Sequence, residues 1–158
     1  MRQDREQRNL GAQVMPETRR TIRRPNGQQI SILIGAEDSG GRMSMIETIS
    51  PPQTGPTFHS HANEDETFYV VDGEADIWLG DRVHHCKAGD HVYGPPDVFH
   101  TYRNVGTGNL KLVIVYSPGG FEQSFLDTER MVEEGKSQAD VTRMLGERYG
   151  LTFRPSPT

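Results

Sequence analysis

From Gln28 to Ser117 apolar residues recur at every second position in short runs, and each run is closed by glycine, proline or aspartate. This pattern leaves little choice of fold. A period of two suits a strand with one buried face, and turns such as D-G, G-D and A-G-D come too often for helices of ordinary length. The runs include Q-I-S-I-L-I-G, R-M-S-M-I-E-T-I-S, T-F-Y-V-V, E-A-D-I-W-L, D-H-V-Y-G and L-K-L-V-I-V-Y. Regularly spaced strands with tight turns predict a sandwich or barrel, so the fold class is all-β. A chain of 158 residues supports one core of this kind, and no internal repeat points to a second.

The two flanks differ from this middle. The organisation expected is an N-terminal arm over 1–27, a barrel over 28–117 and a C-terminal helical segment with a tail over 118–158. In the last part Val141, Met144, Leu145 and Tyr149 recur at helical spacing, with Ser137 as N-cap and Gly150 as stop. These short helices are expected to pack across the barrel, and the tail from Arg154 to be loose. The arm holds seven arginines against three carboxylates, which puts it at +4 and the remainder at −9 of a total of −5. An acidic body opposes the phosphate attraction on which nucleic-acid binding depends, so the arm reads as solvated or as crossing to a partner, with no nucleic acid involved.

A lone cysteine, Cys86, cannot form an internal disulfide, and no stretch is apolar enough to span a bilayer or to act as a signal peptide. The expectation is a cytoplasmic protein that does not engage a membrane.

Within the barrel region four residues carry chemistry. His59 and His61 are two positions apart, so on a strand their imidazoles stand on one face. Glu66 opens the next apolar run and shares its parity with Phe68 and Val70; His100 shares its parity with Val98 and Tyr102. A carboxylate on an inward face is costly without a partner, and a metal ion is an efficient one. Imidazole nitrogen suits iron, nickel, copper, cobalt and zinc, and three imidazoles with one carboxylate leave positions of the shell open for water, substrate or dioxygen; the single divalent transition metal expected is iron, nickel or manganese, with zinc, cobalt or copper also open.

The stretch 59–73, H-S-H-A-N-E-D-E-T-F-Y-V-V-D-G, resembles the first motif of the cupin family, and 89–104, G-D-H-V-Y-G-P-P-D-V-F-H-T-Y-R-N, resembles the second. The resemblance spans roughly residues 28 to 117. It implies a cupin jelly-roll barrel, with His59, His61, Glu66 and His100 as the metal ligands, and a homodimer. Two positions depart from the pattern: Gln53 stands where the first motif has an early glycine, with Gly55 two places later, and Asp97 replaces the glycine expected after Pro95. Aspartate tolerates turn conformations that most residues avoid. The flanking M-I-E-T-I-S-P-P-Q-T-G-P and Y-S-P-G-G-F-E-Q-S-F are similar to single-barrel bacterial relatives of quercetin dioxygenase, which use dioxygen and a mononuclear metal to cleave an aromatic enolic ring.

Other residues carry weaker signals. Met43 and Met45, alternating, are expected to point inward and line a substrate pocket with Phe68, Tyr102 and Phe121, core packing being the plainer role of each. Phe58 belongs to the core on the same grounds. His84, His85 and Cys86 are adjacent, so they alternate faces and read as a surface hairpin; His91 has no evident partner, and Trp78 reads as packing or interface. The function expected is a metal-dependent oxygenase acting with dioxygen on a small aromatic, enolic or polyketide-like molecule. In it Glu66 is a ligand and, if it swings free with a raised pKa, also the catalytic base. A non-oxidative cyclase or isomerase and a ligand-binding module remain open beside it.

Overall fold

A computed structural model describes residues 19–156. Residues 1–18 of the expected arm lie outside the described residues. The strands are β1 (Thr21–Arg23), β2 (Gln29–Ile34), β3 (Ser44–Ser50), β4 (His59–His61), β5 (Asp65–Asp72), β6 (Glu74–Leu79), β7 (Arg82–Lys87), β8 (His91–Gly94), β9 (His100–Asn104), β10 (Leu110–Ser117) and β11 (Leu151–Phe153). A short helix α1 (Ala36–Ser39) follows β2, and α2 (Gln123–Glu133) and α3 (Gln138–Tyr149) follow β10. None of these helices is long and apolar enough to cross a membrane.

The strands form two antiparallel sheets, a six-stranded one in the order β1-β2-β3-β10-β5-β8 and a five-stranded one in the order β11-β4-β9-β6-β7. Strand parity sets the core between them. Along β10 Leu110, Leu112, Ile114 and Tyr116 are buried while Lys111, Val113 and Val115 are only partly so; along β5 Glu66, Phe68 and Val70 are buried. Ala75, Ile77 and Tyr102 meet them from the other sheet. The all-β sandwich expected from the alternation is found, and its two sheets fit the jelly roll that the resemblance implies.

Three details differ from expectation. Residues 21–23, placed in the arm, form β1 and pair with β2, Ile22 opposite Ile30, because both isoleucines can then be buried. Beyond α3 the chain returns as β11 and pairs with β4, Leu151 opposite His61 and Phe153 opposite His59. Arg154 is accordingly anchored, donating its backbone N–H to the Phe58 carbonyl at 3.0 Å and laying its guanidinium over the Phe99 ring.

The C-terminal helices form as their periodicity predicts. Ser137 caps α3 by accepting from the Asp140 backbone N–H, and Gly150 ends it at φ 68°, in the left-handed region glycine favours. Asp127 of α2, buried, joins the pair by accepting from Tyr149 Oη at 2.5 Å and facing Arg148 at 2.9 Å.

Candidate metal centre

His59 and His61 lie on β4 and His100 on β9, both in the five-stranded sheet, whereas Glu66 lies on β5 in the other. β4 and β9 pair with His59 directly opposite His100, and the period of the strand brings His61 to the side of His59. Between the sheets, Glu66 Oε2 stands 2.7 Å from His100 Nε2 and 3.1 Å from His61 Nε2. His59 Nε2 is 3.2 Å from His61 Nε2. One donor atom from each of the four lies within 4.8 Å of all the others. His61, Glu66 and His100 are buried and His59 is half-buried.

Each imidazole is held from behind. Nδ1 of His59 is 2.6 Å from the Thr57 carbonyl, Nδ1 of His100 is 2.9 Å from the Val98 carbonyl, and Nδ1 of His61 is 3.2 Å from the Glu64 carboxylate. A carbonyl only accepts, so in His59 and His100 the hydrogen that makes this contact is on Nδ1, and in the neutral ring Nε2 is left with its lone pair. The lone pair of His100 then faces a carboxylate oxygen of Glu66 with no hydrogen between them, and both atoms are buried. Two buried acceptors this close are unfavourable unless a cation lies between them. Donors spaced near 3 Å also match neighbouring ligands on one ion bonded at about 2.0–2.2 Å. The four residues therefore fit a transition-metal ion, and the contacts behind the rings are of the kind that orient such ligands.

The electrostatics of the cluster are strongly coupled. Burial, then the neighbouring His100, push His59 down to about 4. Burial also works to lower His61, but hydrogen bonds to Glu64 and Glu66 outweigh it and raise the ring to about 9. For Glu66 burial works upward; the facing imidazoles of His100 and His61, when protonated, overcome it and hold the carboxyl well below the usual range. The raised value that a base role calls for is thus absent while Glu66 faces both imidazoles.

The cluster opens onto a cavity of about 780 Å³ between the barrel and the two C-terminal helices. Phe68, Tyr102 and Phe121 line it together with His59, Glu66 and His100. Phe121 stands over His61 with ring centroids 4.3 Å apart in an edge contact. Met43 and Met45 do not line it, and the expectation for them is corrected. The inward face of β3 is Ser44, Ile46, Thr48 and Ser50, so the methionines, one position out of phase, face the other way. His84 and His85 are exposed on the β6–β7 hairpin, with His85 Nδ1 2.6 Å from Asp76, and His91 is exposed as well. Phe58 packs on Phe99 and does not reach the cavity.

Two residues at the site were not among the candidates. Tyr116 is buried, lies directly opposite Glu66 in the β5–β10 ladder and lines the cavity; burial, and then the charge of Glu66, push its hydroxyl well above the ordinary value. Its signal was the alternation Leu110, Leu112, Ile114, Tyr116. Glu64, behind His61, shows in sequence only as one acid in the run E-D-E.

Comparison with known proteins follows this geometry. Residues 45–116 match the model of the cupin domain. Over 100 residues the chain is 27% identical to the quercetin 2,3-dioxygenase of Bacillus subtilis, covering 63% of this chain and 29% of that protein. It is 29% identical over 79 residues to an uncharacterized protein of Methanocaldococcus jannaschii, covering 50% of this chain and 63% of that one. The chain thus spans less than two thirds of either relative. Among solved structures, KdgF from Halomonas sp. superposes with a TM-score of 0.64 at 17% identity, over 72% of this chain and 99% of its own, a likeness of fold.

Proposed function

The chain is a cupin-superfamily protein, and from that premise we propose that it is a metal-dependent oxygenase acting on a small aromatic, enolic or polyketide-like molecule. The observation that carries this reading is the convergence of three imidazole nitrogens and one carboxylate at the wall of a cavity lined largely by apolar and aromatic side chains. The similarity to a dioxygenase supports it.

His59, His61, His100 and Glu66 would hold the ion. Bound there, a redox-capable divalent metal supplies Lewis acidity toward a substrate oxygen and a place for dioxygen. The chain's own residues prepare the surroundings. Thr57, Val98 and Glu64 fix the three rings with Nε2 inward. Phe121 stands over His61, and the helices behind it line the far side of the cavity. Phe68 and Tyr102 offer ring faces to an aromatic molecule, and Tyr116 holds a protonated hydroxyl beside Glu66. In this reading Glu66 is first a ligand, and it accepts a proton only after leaving His61 and His100.

Oxygen uptake by the metal-loaded protein, with flavonols and aromatic polyketides as substrates, tests the proposal. Consumption of about one dioxygen per product supports it. Turnover of the same compounds without oxygen consumption transfers the site to a non-oxidative cyclase or isomerase. The homodimer belongs to the same proposal, and sedimentation equilibrium at twice the chain mass is the result expected.

A further inference from the structure

The end of the cavity away from the His/Glu cluster carries a feature that the chemistry above does not use. β1 and β2 pair with Arg23 opposite Gln29, and the next rung is closed by the Arg24 backbone N–H donating to the Gln28 carbonyl at 2.8 Å. By parity Arg24 and Gln28 then share the face of Ile22 and Ile30, the buried inward face. Gln28 is itself buried, and its Nε2 donates to Tyr102 Oη at 2.7 Å and to Ser50 Oγ at 3.2 Å. Both ends of the rung line the cavity, and among the described residues Arg24 is the one cationic side chain that does.

A guanidinium partly withdrawn from water gains from an anionic partner. Among the described residues no carboxylate lies within salt-bridge distance of Arg24, whereas Arg19 is paired with Glu47 and Arg20 with Glu129. Burial works to lower the Arg24 guanidinium from its ordinary value, while the fields of Tyr102 and Glu129 act to raise it. Of these two, Glu129 already has its partner in Arg20. The cation is therefore fixed by a hairpin, partly withdrawn from water and turned to the cavity, with no partner among the described residues.

Its distance from the cluster bears on what would fill the space. Successive inward rungs run from Glu66 and Tyr116 through Phe68, Ile114 and Ile46, then Val70, Leu112, Thr48 and Ile30, to the level of Ser50 and Gln28. Six residue steps amount to about 20 Å of backbone at ~3.4 Å per residue, shortened by side chains reaching in from both ends.

We propose that Arg24 is an anion-recognition residue of this cavity and that its ligand is an elongated, largely apolar ring molecule with a carboxylate at the end remote from the His/Glu cluster. A guanidinium takes a carboxylate through two parallel N–H donors, which fixes orientation as well as position. The inference deepens the oxygenase reading by naming the substrate class, and rests on that reading only for which end of the molecule lies toward the His/Glu cluster.

The test is a fluorescence titration of the metal-loaded protein with a naphthalene bearing a hydroxyl at one end and a carboxylate at the other, against its methyl ester. The acid should bind at least about tenfold more tightly than the ester. Arg24→Met should abolish that preference and leave ester affinity within about twofold, and Arg24→Lys should keep part of it. Equal affinity for acid and ester in the unaltered protein, a preference that survives Arg24→Met, or no binding of either compound overturns the inference. Because the readout is binding, an Arg24-dependent preference without oxygen uptake would leave this inference standing and end the oxygenase reading.

Discussion

Glu66 and His100 meet at 2.7 Å although they stand on different sheets, one on β5 and the other on β9. Neither sheet alone can build the site, so an ion held there ties the two faces of the barrel together. Ligation to the folded chain alone at a hundredfold excess over Kd stabilises by about 2.7 kcal/mol, which for a domain of this size corresponds to roughly 5–10 °C in Tm. Differential scanning calorimetry with and without added metal checks this. The shift should vanish in His100→Ala; a shift that persists there would place the ion elsewhere.

Metal uptake should depend on pH through His61. With its value raised to about 9, the ring is protonated at neutral pH, and its second proton sits toward Glu66. Only the neutral ring can ligate, so a bound ion must displace that proton. The sign follows: affinity strengthens as pH rises toward about 9, by close to tenfold per unit between pH 6 and 8. Calorimetric titrations in buffers of different ionisation enthalpy measure both the trend and the proton released, and an affinity that is flat over this range would contradict it.

The two places where glycine is replaced in the family pattern are the two non-glycine residues with positive φ among the described residues: Gln53 and Asp97, each at 63°. The turns have kept their left-handed geometry without the residue best suited to it. The Asp97 turn also matters to the site, because its backbone N–H donates to the His61 carbonyl at 2.7 Å. Left-handed backbone costs an ordinary residue about 1–2 kcal/mol, part of which glycine returns through the entropy of its unfolded state. Gln53→Gly and Asp97→Gly should each raise Tm by about 1–4 °C, and a fall in both would show that the side chains contribute more than the turns cost.

Glu66→Gln separates ligation from proton transfer. The amide keeps an oxygen for the ion and loses the ability to accept a proton. Turnover should fall by about a hundredfold or more, in the range typical of a lost general base, with metal content reduced by less than half. Parallel loss of both, by metal analysis and rate, would remove the base role and leave Glu66 as a ligand only.

Much of this site was legible because strand parity is a strict rule. An H-x-H pair, a Glu two positions before Phe68, and a His two positions before Tyr102 each predict a shared face, and the structure brings the four ligand-type residues into one cluster and all of these residues but His61 to the wall of one cavity. The same rule misplaces Met43 and Met45, since alternation shows which residues share a face but not which face is inward. In β3 Ser44 and Thr48 face inward, against their polarity. Gly55 is a further case that only coordinates explain: a Cβ there would lie 1.8 Å from the Tyr102 carbonyl oxygen, so the loop ahead of the first histidine must pass against β9 at a glycine. The return of 151–153 to β4, and the rung that turns Arg24 inward, depend on pairings between distant segments that no local pattern records.

The account turns on one ion held by these four side chains, and elemental analysis of tag-free protein against the His59→Ala, His61→Ala, His100→Ala triple variant tests it most directly. About one transition-metal ion per chain in the unaltered protein, and background in the triple variant with an unchanged far-ultraviolet circular dichroism spectrum, is the result predicted. Equal metal in both proteins, or none in either after growth and incubation with iron, nickel and manganese, would contradict it.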